Sequence, residues 1–183
     1  MIPIYLDPAK VRIALIGRGA LAARRLRWLR EGGAEPDVWS DAPTEGLAES
    51  AGRFTNRLPR RDDFAGYGLA WLVDLPHDEA DSVASAAREA GLLVNVEDVL
   101  PLCDFHTPAV VRRGGLTLAA ATGGASPAVA RIARERLEAA FPPIWGEALE
   151  EVARARQALR TAGADGEALA ADARRRLSIH GLT

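Results

Sequence analysis

A short apolar run followed at once by two closely spaced glycines constrains this chain more than any other feature. The run Ile13-Ala-Leu-Ile16 is apolar throughout and too short to span a membrane, so it predicts a buried parallel strand. Gly17-Arg18-Gly19 follows directly, and apolar residues then recur at helical spacing from Ala20 and Leu21 onward. The chain must therefore turn sharply from a strand into a helix at the two glycines.

Such a strand, turn and helix suit the binding of a pyrophosphate. The backbone can approach a ligand closely where no Cβ intervenes, and the helix N-terminus offers free N–H groups and the positive end of its dipole. Gly17, Gly19 and Ala22 match the dinucleotide pattern G-x-G-x-x-A. Two alternatives stay open, namely a tight turn that binds nothing and the glycine-rich loop of an S-adenosylmethionine methyltransferase. We assign cofactor contacts to five consecutive residues: Gly17, Arg18, Gly19, Ala20 and Leu21.

Strands alternate with helices along the first hundred residues, which predicts a parallel, doubly wound sheet. Thr44 and Asp78 are expected to cap the second and third helices. Ser126-Pro127 predicts the start of a later helix. The predicted strands of the sheet are 13–16, 37–39, 54–58, 69–75 and 92–96. A strand pair follows at 109–111 and 116–121. The predicted later helices are one that starts at Ser126-Pro127 and ends at 141, one at 145–160 and one at 166–177.

The fold class predicted from this order is α/β. A Rossmann-like, parallel-sheet NAD-binding domain is expected at 1–104, a dimerisation strand pair with its helix at 105–141, and a small helical domain at 142–183. A lone hairpin is marginally stable in water, so the strand pair is expected to need a partner.

Composition and charge exclude several classes of protein. The 183 residues are 48% hydrophobic and 26% charged, as in ordinary globular domains, and the net charge of −2 argues against nucleic-acid binding. No apolar run reaches the roughly 20 residues of a membrane span, and the N-terminus lacks a signal-peptide pattern, so we expect a cytoplasmic protein without a membrane partner. Cys103 is the only cysteine, which excludes an internal disulfide and a Cys-based metal cluster; no metal site is assigned.

Polar residues at the predicted strand ends complete the candidate cofactor site. Ser40-Asp41 follows the second strand about 20 residues past the glycines, where an acid binds the adenosine ribose of NAD; Asp41 is equally compatible with the start of a loop. A negative charge there opposes a 2′-phosphate, so NAD is predicted over NADP. A buried carboxylate without a partner is costly, so Asp74 is better tolerated at the carboxyl end of its strand, where ligands bind. Val73, Asp74 and Asn95 of the next strand are assigned to the cofactor as well.

The ordered motifs resemble the precorrin-2 dehydrogenase / sirohydrochlorin ferrochelatase family, the N-terminal part of siroheme synthases. The resemblance covers residues 1–141. It rests on Gly17-x-Gly19-x-x-Ala22-x-Arg24, Asn95-Val-x-Asp98, Asp104-Phe105 with Pro108, Arg113-Gly114 and Thr122-x-Gly124-x-Ser126-Pro127.

This resemblance implies a homodimeric oxidoreductase that oxidises precorrin-2 to sirohydrochlorin with NAD in siroheme, or porphyrin, biosynthesis. Some members then insert ferrous iron, a lyase reaction. Asp98 matches the family's catalytic aspartate, and a base is needed because the macrocycle loses a hydride and a proton. The alternative for Asp98 is a turn residue after a strand.

Precorrin-2 carries many carboxylates, and a loop before a helix N-terminus is suited to bind anions. We assign six residues to the substrate: His106, Thr122, Gly123, Gly124, Ser126 and Arg131. Two alternatives to substrate binding stay open: a structural role for His106 and a solvent-exposed helix charge without a ligand for Arg131.

One departure from the family pattern favours a different function. Members commonly end the fourth strand with Ala-Thr, whereas this chain has Val73-Asp74, whose carboxylate could repel a pyrophosphate. The alternative is therefore a non-catalytic relative that binds a tetrapyrrole or a nucleotide as a carrier or sensor.

Overall fold

The computed structural model describes residues 1–183, and the chain divides into two compact units, Met1–His106 and Thr107–Thr183. None of the helices combines the length and the apolar character that crossing a membrane requires. The finer division of the second unit at residue 141 stays a prediction.

The first unit is built on a five-stranded parallel sheet in the order β3-β2-β1-β4-β5. Its strands are β1 (Ile13–Gly17), β2 (Asp37–Trp39), β3 (Arg53–Thr55), β4 (Leu69–Val73) and β5 (Leu93–Val96). Its helices are α1 (Gly19–Glu31), α2 (Glu45–Ser50) and α3 (His77–Glu89), with short 3-10 turns at Arg61–Phe64 and Leu100–Leu102. The Rossmann-like prediction is confirmed, and the strand order reverses between β1 and β4, the point where such sheets bind ligands.

Apolar residues cover both faces of this sheet. One face packs Leu15 and Val73 against Leu26 of α1 and Leu47 of α2. The opposite face packs alternate strand residues, among them Ile16, against α3. Because successive side chains of a strand point to opposite faces, β1 and β4 are buried on both sides and read as continuous apolar runs.

Three local predictions are wrong. The strand predicted to reach Leu75 ends at Val73, because Asp74 adopts a left-handed φ of 55° that a strand cannot continue through. The cap predicted at Asp78 is absent, since α3 begins one residue earlier, at His77, with Pro76 at the N-cap position. The third strand is Arg53–Thr55 rather than 54–58. The Thr44 cap is confirmed, with Oγ1 accepting from Leu47 N at 3.3 Å.

The second unit joins an antiparallel strand pair to three helices. β6 (Ala109–Arg113) pairs with β7 (Leu116–Ala120). The helices are α4 (Pro127–Ala140), α5 (Ile144–Thr161) and α6 (Gly166–Ile179). The predicted Ser126 cap is confirmed, since its hydroxyl accepts from Val129 N at 3.3 Å. The helix α5 packs closely on the strand pair at Gly146, where a Cβ would lie 3.1 Å from the Arg113 carbonyl carbon.

Candidate functional site

The two glycines form a cradle at the switch point between β1 and β4. A Cβ on Gly17 would lie 2.3 Å from the Val73 carbonyl oxygen, which also accepts from Arg18 N at 3.2 Å. Gly19 has a φ of 64°, and a Cβ on it would lie 2.8 Å from Asp74 Oδ2. A side chain at position 17 would clash with the β4 backbone, and one at position 19 would be strained and would meet Asp74, so the two glycines leave the loop backbone open to a ligand.

The N-terminus of α1 opens directly from this cradle. The helix has 13 residues, no side chain caps its start, and its first turn contains no acidic residue. Ala20 is exposed and Leu21 half-buried within that turn. The first N–H groups and the positive end of the helix dipole are therefore available to an anion.

Ser40 provides a buried polar atom without a partner. Its side chain is fully buried immediately after β2, and its Oγ makes no hydrogen bond, although its backbone N–H donates to the Thr55 carbonyl at 3.1 Å. Buried hydroxyls are nearly always satisfied in folded proteins. An orphaned hydroxyl beside the predicted ribose acid, together with the glycine cradle, fits a dinucleotide at this edge of the sheet.

The side chain of Arg18 connects the glycine loop to two carboxylates. Its Nε and Nη2 donate to the two oxygens of Asp41, both at 2.7 Å. Its Nη2 also donates to Glu79 Oε2 at 2.7 Å, in the first turn of α3. The bond from Arg18 holds the pKa of Asp41 below its ordinary value, so this carboxylate is ionised at neutral pH.

A pocket of about 200 Å³ lies at the carboxyl ends of β4 and β5. It combines apolar walls with three carboxylates. Its lining residues are Leu21, Leu72, Asp74, Leu75, Val96, Glu97, Asp98 and Val99. The pocket therefore joins the first turn of α1 to the predicted catalytic aspartate.

Asp74 and Asp98 share an uncommon backbone conformation. Their φ values are 55° and 66°, and they are the two non-glycine residues of the chain with positive φ. Both carboxylates are exposed at the pocket. Aspartate tolerates this region better than most residues, and such conformations concentrate at functional sites.

Glu97 fixes the turn that carries Asp98. Its carboxylate pairs with Arg24 and Arg25 of α1, each at 3.1 Å, and only 14% of the Glu97 and Arg25 side chains is exposed. The Glu97 backbone N–H also donates to the Leu72 carbonyl at 2.9 Å. The residue before Asp98 is thus anchored to both α1 and β4.

Asn95 holds the segment that follows the pocket. Its buried amide donates to the Phe105 carbonyl at 2.7 Å, and Nδ2 lies 3.5 Å from Cys103 Sγ. Asn95 therefore has a packing role, and its predicted contact with the cofactor stays a prediction. Burial raises the pKa of the Cys103 thiol.

The predicted anion loop lies in the second unit. Gly123 and Gly124 have φ values of 65° and 84°, and Thr122 Oγ1 accepts from Ser126 N at 3.2 Å. Arg131 is 71% exposed on α4 and lies 3.9 Å from Glu135. His106 is the last residue of the first unit. The assignment of these residues to one substrate site stays a prediction.

Sequence reasoning missed Glu79 and Glu97. Both pair with arginines that lie more than 60 positions away, at 18 and at 24 and 25. The acidic first turn of α3 was the available signal for Glu79, and the position beside Asp98 for Glu97. The structure contains no group of three or more His, Cys, Asp or Glu side chains able to hold a metal ion.

Comparisons with known proteins agree with this geometry. The family described as "Putative NAD(P)-binding" matches residues 4–109. The siroheme synthase of Nitrosomonas europaea is 33% identical over 164 residues, covering 87% of this chain and 34% of that protein. The siroheme synthase of Methylococcus capsulatus is 34% identical over 167 residues, covering 88% of this chain and 35% of that protein. The predicted resemblance to siroheme synthases is confirmed, and the chain spans about a third of the length of these relatives.

A solved structure described as SirC, precorrin-2 dehydrogenase, has the same fold. Its TM-score is 0.77, and the match covers 96% of this chain and 88% of that one at 18% identity. At that identity the likeness establishes the fold, which includes both the parallel sheet and the region that follows it.

Proposed function

Because the chain belongs to the NAD(P)-binding family that matches residues 4–109, we propose that it oxidises precorrin-2 to sirohydrochlorin with NAD as the hydride acceptor. One observation carries this proposal: Leu21, beside the glycine cradle, and Asp98 line the same pocket. The substrate is taken from the precorrin-2 dehydrogenase of the same fold, and the siroheme synthase relatives support the same biosynthetic route. A cytoplasmic location stays part of the proposal.

The cradle and the end of β2 would hold the cofactor. Backbone N–H groups at the start of α1 bind the pyrophosphate, which Gly17 and Gly19 allow to approach. Asp41 and the adjacent Ser40, whose buried hydroxyl lacks a partner, would bind the adenosine ribose. The nicotinamide, when bound, accepts a hydride.

Asp98 takes the proton in this scheme. Oxidation of precorrin-2 removes two electrons and two protons, as one hydride and one proton. The exposed Asp98 carboxylate lies at the pocket, and the Glu97 ion pairs fix its turn, so it can accept the proton as a general base. Metal insertion is not part of this proposal.

Carboxylates of the substrate would bind to the second unit. The Thr122–Ser126 loop precedes α4, a 14-residue helix, and Arg131 is exposed farther along it. The helix dipole and the guanidinium both favour anions there. His106, the last residue of the first unit, is assigned to the substrate as well.

A homodimer is part of the same proposal. The β6–β7 sheet has two strands, so each strand has a free edge. Val129 and Ile132 on α4 are 54% and 52% exposed. A second copy that pairs with these edges and covers these side chains would stabilise the unit. A monomer in sedimentation at micromolar concentration contradicts this part.

A carrier or sensor is the second candidate, and one contact favours it. The Asp74 carboxylate lies against Gly19, where a pyrophosphate would bind. Mixing the protein with NAD and enzymatically generated precorrin-2 separates the two functions. Appearance of NADH supports the enzyme, whereas stable binding of precorrin-2 without NADH supports the carrier.

A further inference from the structure

The Arg18 guanidinium joins three elements of the nucleotide domain. It extends from the glycine loop to Asp41 after β2 with two bonds of 2.7 Å. It also reaches Glu79 of α3, with one bond of 2.7 Å and one of 3.4 Å. The side chains of Arg18, Asp41 and Glu79 are 22%, 39% and 40% exposed. Such forked guanidinium–carboxylate bonds fix both distance and orientation.

The charges of this trio do not cancel. One guanidinium faces two carboxylates, so the cluster carries one net negative charge. The two carboxylates also accept hydrogen bonds from the Arg18 N–H groups that face them, so fewer N–H groups remain to bind a further anion.

The cluster lies at the predicted site of the adenosine ribose, which carries a 2′-hydroxyl in NAD and a 2′-phosphate in NADP. Asp41 follows β2, the position of the acid that binds the adenosine ribose. A ribose 2′-hydroxyl can donate to Asp41, because a carboxylate accepts more bonds than the two that Arg18 makes. A 2′-phosphate brings more negative charge to a cluster that is already negative.

We propose that Glu79 is a positioning residue that sets the choice of cofactor through Arg18. Glu79 holds the guanidinium against Asp41 and offsets its charge, so that Arg18 does not serve as a ligand for a 2′-phosphate. Without Glu79 the cluster loses its net negative charge, and the Arg18 N–H groups that Glu79 accepted from are open to the phosphate. This inference rests on the proposed use of a nicotinamide cofactor.

Calorimetric titration of the full chain with NAD and with NADP tests it. The wild-type protein is expected to bind NAD more tightly. Glu79→Gln should shift the ratio of the two dissociation constants toward NADP by about tenfold, and the double change Asp41→Asn, Glu79→Gln by about 100-fold. Adding Arg18→Ala to the double change should cut the shift back to about tenfold or less, since the phosphate ligand is then gone and the cluster is neutral.

Asp78→Asn is the matched control, because it removes the same charge from the neighbouring, exposed position of α3. An equal loss of affinity for both cofactors on Glu79→Gln, or an equal shift on Asp78→Asn, overturns the inference. Failure of every protein to bind either cofactor overturns the proposed function too. If the ratio of dissociation constants shifts as expected but the protein does not oxidise precorrin-2, this inference is supported and only the proposed substrate is contradicted.

Discussion

The carboxylate of Asp74 lies against Gly19, so close that a Cβ on the glycine would stand 2.8 Å from Asp74 Oδ2. Gly19 belongs to the loop that is proposed to receive the cofactor's pyrophosphate, and the two anions would repel each other. We expect Asp74→Asn to raise the affinity for NAD by about tenfold, measured by calorimetry. Asparagine also tolerates the φ of 55° at this position.

Asp81→Asn is the control for this change, because it removes an exposed charge from a later turn of α3. Its affinity for NAD should equal that of the wild-type protein. Unchanged or weaker binding by a folded Asp74→Asn protein would show that the carboxylate does not oppose the cofactor.

Gly17→Ala should destabilise the fold. The added methyl group would lie 2.3 Å from the Val73 carbonyl oxygen, so β1 and β4 must separate at the cofactor edge. The free energy of unfolding in urea is expected to fall by about 1–3 kcal/mol. Gly46→Ala in α2 is the comparison, since nothing lies within 4 Å of its Cβ position, and it should gain up to about 1 kcal/mol. Equal stability of the two variants contradicts the close approach at Gly17.

Asp63 should make stability depend on acid pH. Two bonds of 2.7 Å from Arg57, and a backbone bond of 2.7 Å from Arg60, lower the pKa of Asp63 to about 2. A pKa lower in the folded than in the unfolded state stabilises the protein above the ordinary value of 3.8, and this is lost as the pH falls toward 2. Asp63→Asn should therefore be less stable than wild type at neutral pH, and the difference should close near pH 2. If the stability difference between wild type and Asp63→Asn were the same at every pH, the lowered pKa of Asp63 would be contradicted.

Much of the first unit was predictable because its signals are local. The apolar runs of β1 and β4 report strands buried on both faces, and the cap at Thr44 reports a helix start, as the cap at Ser126 does in the second unit. The partners of Arg18 were not predictable, because Glu79 lies 61 residues away and periodicity carries no information on which elements face each other. The end of β4 was missed because a single left-handed residue, Asp74, ends it.

Asp98→Asn tests the proposed base. Asparagine keeps the size and tolerates the φ of 66° but cannot accept the proton, so turnover should fall by about 10²- to 10⁴-fold while NAD affinity stays the same. Asp104→Asn is the comparison. Asp104 accepts from Val94 N at 2.8 Å and from Arg88 Nε at 3.1 Å, so its loss should lower stability by about 1 kcal/mol and leave turnover intact. Full activity of a folded Asp98→Asn protein would remove Asp98 from the mechanism.

The most direct test of the proposed function is to follow absorbance while the wild-type chain acts on enzymatically generated precorrin-2 with NAD. Sirohydrochlorin and NADH are predicted to form in equal amounts, because each oxidation releases one hydride. A folded protein that binds NAD, yet forms neither product, would contradict the proposal.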